Sequence, residues 1–210
     1  MPDNNNNHFP EALAKIVSVV FHPVFMPLYG MGILFTAPTF LGYLPLQVKK
    51  IMLMVVLMNN VMLPVALLPF FRNRNIISSY IVDERAERII PLIVTSILYA
   101  VTAFIFYRFP VPDFFKSFIY SSAIVVVILT VINFWFKISI HGAGIGAVTA
   151  LIVVLSIKTY TPLTWYLTGS ILAVGLILSS RLRLHVHNSL QVWVGFLTGL
   201  TCSALAIWLL

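Results

Sequence analysis

The sequence predicts an all-α protein, a polytopic transmembrane helix bundle of six to seven spans, and three observations carry that expectation. Of the 210 residues, 60% are hydrophobic and 9% are charged, where a soluble domain carries about 25% charged residues. A soluble chain of this length could not cover its surface with so few charges, whereas a bilayer asks for no such cover. The apolar residues also gather into runs of about 20, the length that crosses a hydrocarbon core. Finally, the cations behind a net charge of +7 sit at the ends of those runs. There they meet lipid headgroups or phosphate, so no nucleic acid is expected as a partner. The lone cysteine, Cys202, excludes an intramolecular disulfide.

In chain order, residues 1–12 are expected to be a polar, disordered N-terminus containing Asn4 to Asn7, and residues 13–210 a single helical domain. No basic stretch precedes a small-residue cleavage site, so no removable signal peptide is expected. The runs fall at roughly 13–37, 51–70, 89–108, 114–136, 140–157, 162–180 and 190–210. The first contains His22, Pro23, Pro27 and Gly30, which kink a span or make it re-entrant, hence six or seven. His22 is read there as a packing residue beside the kink.

The connection from Phe71 to Arg88 is the most charged. Asp83 is expected to cap the next helix, with Glu84 and Glu87 at its positive end and Glu84 paired to Arg88. Asn59, Asn60 and Asn133 are expected to make interhelical hydrogen bonds. Gly142, Gly146 and Ala150 recur every four residues, as do Gly195 and Gly199. Such spacing allows close helix packing, within one chain or in a homo-oligomer.

Seven spans bring three junctions to one membrane face: Arg88, the stretch Lys137–His141, and the stretch Ser180–Gln191. Arg88, Lys137, Ser139, His141, Arg181, Arg183, His185 and His187 then converge at headgroup level, which suits an anion such as phosphate. Arg181 and Arg183 also suit cations snorkelling from a helix end, and His185 a solvent-facing neighbour. His185 and His187 have no third ligand nearby, so no metal site is expected. That face carries eight cations against five opposite. Without Arg88, Lys137 and Arg181 the two faces balance, and the positive-inside rule gives no orientation.

At these residues the chain resembles the type 2 phosphatidic acid phosphatase (PAP2) superfamily, membrane lipid-phosphate phosphatases related to the vanadium haloperoxidases. The family's third motif, Ser-Arg-x5-His-x3-Asp, is matched by Ser180, Arg181 and His187, with Gln191 in place of Asp. The second, Pro-Ser-Gly-His, keeps Ser139 and His141. The first, Lys-x6-Arg-Pro, is represented by Arg88 with Pro91 beyond it, and Ile81 stands where Lys would. The motif region covers residues 83–199, in the family's order, with two spans between consecutive motifs.

The resemblance implies a PAP2-like core and a phosphatase needing neither metal nor cofactor. It places the protein in a bacterial inner membrane with the site facing the periplasm. The substrate would be a phosphorylated membrane lipid: phosphatidate, phosphatidylglycerophosphate, a polyprenyl diphosphate or a lipid A-like glycolipid. It makes His187 the nucleophile that becomes a phosphohistidine and His141 the acid that protonates the leaving oxygen. Arg88, Arg181 and Ser139 would bind the phosphate.

Two readings come from position instead of motif. Lys137, two residues before Ser139, can supply the charge of the missing lysine, and backbone N–H groups of residues 140–144 can join the anion site. Gln191 can orient His187 but lends it no negative charge. Either Asp83, Glu84 or Glu87 substitutes through space, or the enzyme is slow, or the scaffold binds or carries a lipid phosphate without turnover. A lipid phosphotransferase is a further alternative.

Overall fold

The computed structural model describes residues 8–80, 82 and 84–210. Among these the chain is 79% helical, with no strand. Seven helical runs are long and apolar enough to cross a membrane: Glu11–Thr36, Leu46–Asn73, Ile89–Arg108, Asp113–Asn133, Ile140–Lys158, Thr164–Arg183 and Ser189–Leu209. The protein is an integral membrane protein. Large apolar side chains such as Ile97, Phe104, Leu172 and Leu205 stand exposed on the helices, where only lipid would cover them. Exposed aromatics mark both ends of the bundle, with Trp135 and Trp193 on one side and Tyr43, Tyr160 and Trp165 on the other, as interfacial belts require.

The first run is broken. Helix α1 (His8–Val20) ends before a 3₁₀ turn, Pro23–Phe25, and α2 (Met26–Thr36) follows. Pro23 and Pro27 have no N–H to give to an intact helix and sit in first-turn positions, where none is needed. The expectation of disorder to residue 12 is corrected, because α1 begins at His8 and Glu11 pairs with Lys15 one turn on (2.8 Å). Residues 1–7 lie outside the described residues.

The second run is continuous, but its middle is a π-helical turn, Leu57–Met62, joining α3 (Leu46–Val56) to α4 (Leu63–Asn73). Pro64 follows that turn, and its ring crowds the carbonyl four residues back, that of Asn60, so the coil widens there. Asn60 makes the interhelical bond expected of it: its Oδ1 accepts from the Thr102 hydroxyl of α5 (Ile89–Arg108) at 2.6 Å.

The remaining spans are α6 (Asp113–Asn133), α7 (Ile140–Lys158), α8 (Thr164–Arg183) and α9 (Ser189–Leu209). α7 is the central helix, two-thirds buried. It lies against α9 through the small residues read from the sequence. A Cβ on Gly142 would come within 2.8 Å of the Val192 carbonyl, and one on Gly146, Gly195 or Gly199 would meet the facing backbone still more closely. The glycine spacing is thus used inside the chain. At the far end Lys158 donates to the Ile207 carbonyl (2.8 Å), satisfying a C-terminal acceptor of α9.

Candidate functional site

Three junctions meet at one end of the bundle, each fixed by polar contacts to backbone. The turn before α5 is docked on the end of α6: the Arg85 guanidinium donates to the carbonyls of Asn133 (3.2 Å) and Phe134, and Asn133 Nδ2 donates back to the Arg85 carbonyl (3.0 Å). Arg88 then donates through Nε to the Val82 carbonyl (2.8 Å) and through Nη1 to the Ile138 carbonyl (3.4 Å). The Ser139 N–H donates to the Gln191 carbonyl (3.2 Å), which joins the start of α7 to the start of α9.

The helix expected to start at Asp83 starts at Ile89 instead. Glu84 and Glu87 lie in the turn before it, not in its first coil, and Asp83 is outside the described residues. The reason is competing partners: the Glu87 carboxylate is taken up by the Ser78 N–H (3.1 Å) and hydroxyl (3.2 Å). Glu87 therefore does not substitute for a carboxylate behind His187, and Glu84 is exposed.

A cavity of about 840 Å³ opens at this end, and Arg88, His141, Arg181 and His187 all line it. Its wall continues inward over apolar side chains such as Leu92, Val125 and Val148. Tyr99, also on the wall, is about 16 Å further along α5 than Arg88 at 1.5 Å per residue. One end is cationic and the other hydrocarbon.

Arg88, Arg181 and His187 are each buried among protein atoms yet border this space. His187 lies in the short turn between α8 and α9, and Asn188 behind it opens α9 with a capping box. In that box Gln191 Oε1 accepts the Asn188 N–H (3.3 Å) and lies 3.0 Å from His187 Nδ1. A backbone N–H only donates, so the amide atom facing it is oxygen. The ring nitrogen that shares this oxygen must carry a proton. Nδ1 of His187 is thus the protonated nitrogen and Nε2 bears the lone pair. Burial holds the pKa of this imidazole down to about 4, and Arg88, Arg181 and Lys137 push the same way against the Gln191 hydrogen bond. The ring is neutral at physiological pH.

Other expected site residues are placed differently. Ser139 is fully buried and does not line the cavity; its Oγ accepts the Gly142 N–H (3.3 Å) and caps α7. Lys137 is half-buried beside the cavity without lining it, and acts on His187 through its charge. Gln191 stands behind His187 and does not reach the space. Arg183 and His185 are exposed, and His185 takes the left-handed conformation (φ 52°) that ends α8.

The first run contributes side chains that the motifs pass over. Ser18 accepts from Arg181 Nη1 through its hydroxyl (3.4 Å) and from His141 Nε2 through its carbonyl (3.1 Å). Its hydroxyl and carbonyl together hold two site residues in place. His22 also lines the cavity, with its ring edge-on to that of His141 at 5.3 Å between centroids. His22 is exposed, not packed as a core residue. The signal was present in the sequence. Glu11, Lys15, Ser18 and His22 are spaced by four, three and four, one polar stripe along an otherwise apolar run, and all four line the cavity.

Among the described residues no three His, Cys, Asp or Glu side chains gather closely enough to hold a metal ion. No protein-family model, no curated protein and no solved structure matches the chain, and the site is read from its own residues.

Proposed function

We propose that this protein is a lipid-phosphate phosphatase of the type 2 phosphatidic acid phosphatase kind, working through a phosphohistidine at His187. One observation carries the reading: a single cavity bears Arg88, Arg181 and His187 at one end and continues as an apolar wall along α5 and α6. A phosphate on a hydrocarbon tail is the ligand whose two halves match those two halves. The ordered motif matches support it.

The chemistry follows from the protonation states. His187 Nε2 attacks phosphorus while Gln191 Oε1 holds the Nδ1–H. Arg88 and Arg181 neutralise the charge on the equatorial oxygens, the task a metal performs elsewhere. The P–O bond to the lipid breaks, and water then cleaves the P–N bond to release phosphate and neutral His187. Phosphatidate, phosphatidylglycerophosphate, a polyprenyl diphosphate and a lipid A-like glycolipid all present this chemistry. The same resemblance favours a bacterial inner membrane with the site on the periplasmic side.

The test is phosphate release from those lipids by the purified protein in detergent with a chelator present. Turnover is expected, with loss of at least about 10³-fold in His187→Ala, since an attacking group cannot be replaced by its neighbours. No release from any lipid, with binding retained, would sink the phosphatase and leave a carrier.

That second reading has its own observation. Gln191 is a neutral capping residue where the family has Asp, so the imidazolium-like charge formed during attack meets no carboxylate from α9. Transfer to a lipid alcohol in place of water would make the same site a phosphotransferase.

A further inference from the structure

The first run walls one side of the cavity and descends from the site. Ser18 meets Arg181 near the end of α8, and Thr36 accepts from the Tyr166 hydroxyl near the start of α8 (3.3 Å). His22 therefore lies about one turn deeper than Ser18, between the cationic end and the hydrocarbon wall. We propose that the substrate is a lipid diphosphate: its terminal phosphate meets Arg88, Arg181 and His187, and the phosphate that stays on the lipid accepts a hydrogen bond from His22. The inference rests on the phosphatase reading of the cavity and narrows its substrate class.

Hydrogen bonding fixes which protons the cavity can lend. The Val24 N–H donates to His22 Nδ1 (3.3 Å), so Nδ1 holds a lone pair and the single proton of the ring sits on Nε2. That ring is neutral. It can donate a hydrogen bond, but giving the proton away would leave an imidazolate. Its Nε2–H has no partner among the described residues, and the ring borders the cavity. His141 Nε2 lies 3.1 Å from the Ser18 carbonyl, so its proton is committed to the backbone of α1. A second proton there would set a cation beside Arg181, with which His141 shares Ser18. Among the described residues one carboxylate lines the cavity, Glu11, and Lys15 holds it (2.8 Å) at the outer end of the stripe. These groups bind and orient; none is poised to hand a proton to a leaving oxygen.

Leaving groups sort on that property. An alkoxide departing from a phosphate ester must be protonated, whereas a phosphate departs from an anhydride as a stable anion, its second ionisation having a pKa of about 6. The charge fits as well. Arg88, Arg181 and Lys15 all line the cavity, and a diphosphate brings roughly three negative charges to them. At the hydrocarbon border, a neutral N–H on His22 adds a directed donor without the cost of desolvating another cation.

The step balances without an acid. His187 Nε2 forms its bond to the terminal phosphorus while the P–O bond to the bridging oxygen breaks, and that oxygen keeps the electron pair. The lipid monophosphate leaves with two negative charges, and the phosphoryl group on His187 keeps two, offset by one positive charge on the ring. Water then adds to phosphorus, His187 takes back its electron pair, and dihydrogen phosphate leaves with both protons of that water. Alkyl monophosphates remain slow substrates of the same site.

Decyl diphosphate and decyl phosphate share one tail and differ in the leaving group. Initial phosphate release by the wild type should favour the diphosphate in kcat/KM by at least about 10²-fold, the low end of what a positioned acid contributes to an ester. A ratio below about tenfold overturns the inference and leaves the phosphatase standing. If neither compound and none of the lipids named above releases phosphate, the phosphatase reading itself fails and the inference with it. His22→Asn keeps an oxygen for the Val24 N–H, because Asn is among the best caps, but does not extend to the Nε2 position. It should lower kcat/KM on the diphosphate by about 10- to 100-fold, the scale of a hydrogen bond to a charged group, and on the ester by far less. His22→Gln, whose longer amide carries an N–H toward that position, should recover part of the loss, which separates a lost bond from a lost fold. Equal falls on both compounds in His22→Asn, or no fall on either, overturn the placement of the retained phosphate on His22.

Discussion

The proton on His187 is placed by the Asn188 amide, one residue away, because that amide forces Gln191 to present its oxygen to both. A neutral partner fixes the tautomer without raising the pKa, and the ring stays near 4. On the proposed phosphatase reading the imidazole attacks only when unprotonated, so the acid limb set by His187 should lie near pH 4. Gln191→Asp adds a negative charge that favours imidazolium, so that limb should move up by about one to two pH units. Activity near neutrality should hold or rise. Gln191→Leu should cost up to about 10⁴-fold, the scale of a misplaced tautomer. A pH–rate profile of the three proteins checks both. His187, which lines the cavity, stands out in the sequence because its spacing from Ser180 and Arg181 resembles a motif. Ser139 does not, since a serine three residues before a glycine at a helix start is equally a cap and a ligand. Burial alone separated the two.

Helix α7 meets α9 at van der Waals distance because glycine leaves room for it, and in lipid packing takes the place of the hydrophobic effect. Gly199→Ala sets a Cβ against the Ala143 carbonyl, so the helices must part, at a cost of about 1–3 kcal/mol. Gly175→Ala, on an exposed stretch of α8 with nothing near its added Cβ, should stabilise by up to about 1 kcal/mol through helix propensity. Thermal unfolding in detergent should show opposite shifts in Tm. A common direction would mean that the glycine contact does not hold the bundle together. Hydropathy placed all seven runs within a few residues, because length and apolarity are local properties. The widened turn at Leu57–Met62 escaped that reading although Pro64 advertised it. The stripe of Glu11, Lys15, Ser18 and His22 is hidden from hydropathy, because an average over the run does not separate one polar face from the apolar rest.

At the scale of the whole molecule, the charge excess and the apolar interior describe the two ends of one cavity, and they select ligand in different ways. A lipid tail leaving the bilayer for the apolar wall gains little, because hydrocarbon is exchanged for hydrocarbon. If the ligand is a lipid phosphate, as proposed, discrimination among natural substrates therefore belongs to the cationic end. A short alkyl phosphate dissolved in water is different, since its tail leaves water on binding and each buried methylene contributes about 0.8 kcal/mol, roughly a fourfold gain. Across a series of n-alkyl phosphates kept below micelle formation, kcat/KM should climb about fourfold per carbon. It should level once the tail partitions into the detergent belt. Glycerol phosphate, all headgroup and no tail, should be a poor substrate. A flat series from the first carbon would place the tail outside the cavity wall of α5 and α6, and leave the cationic end to bind phosphate alone.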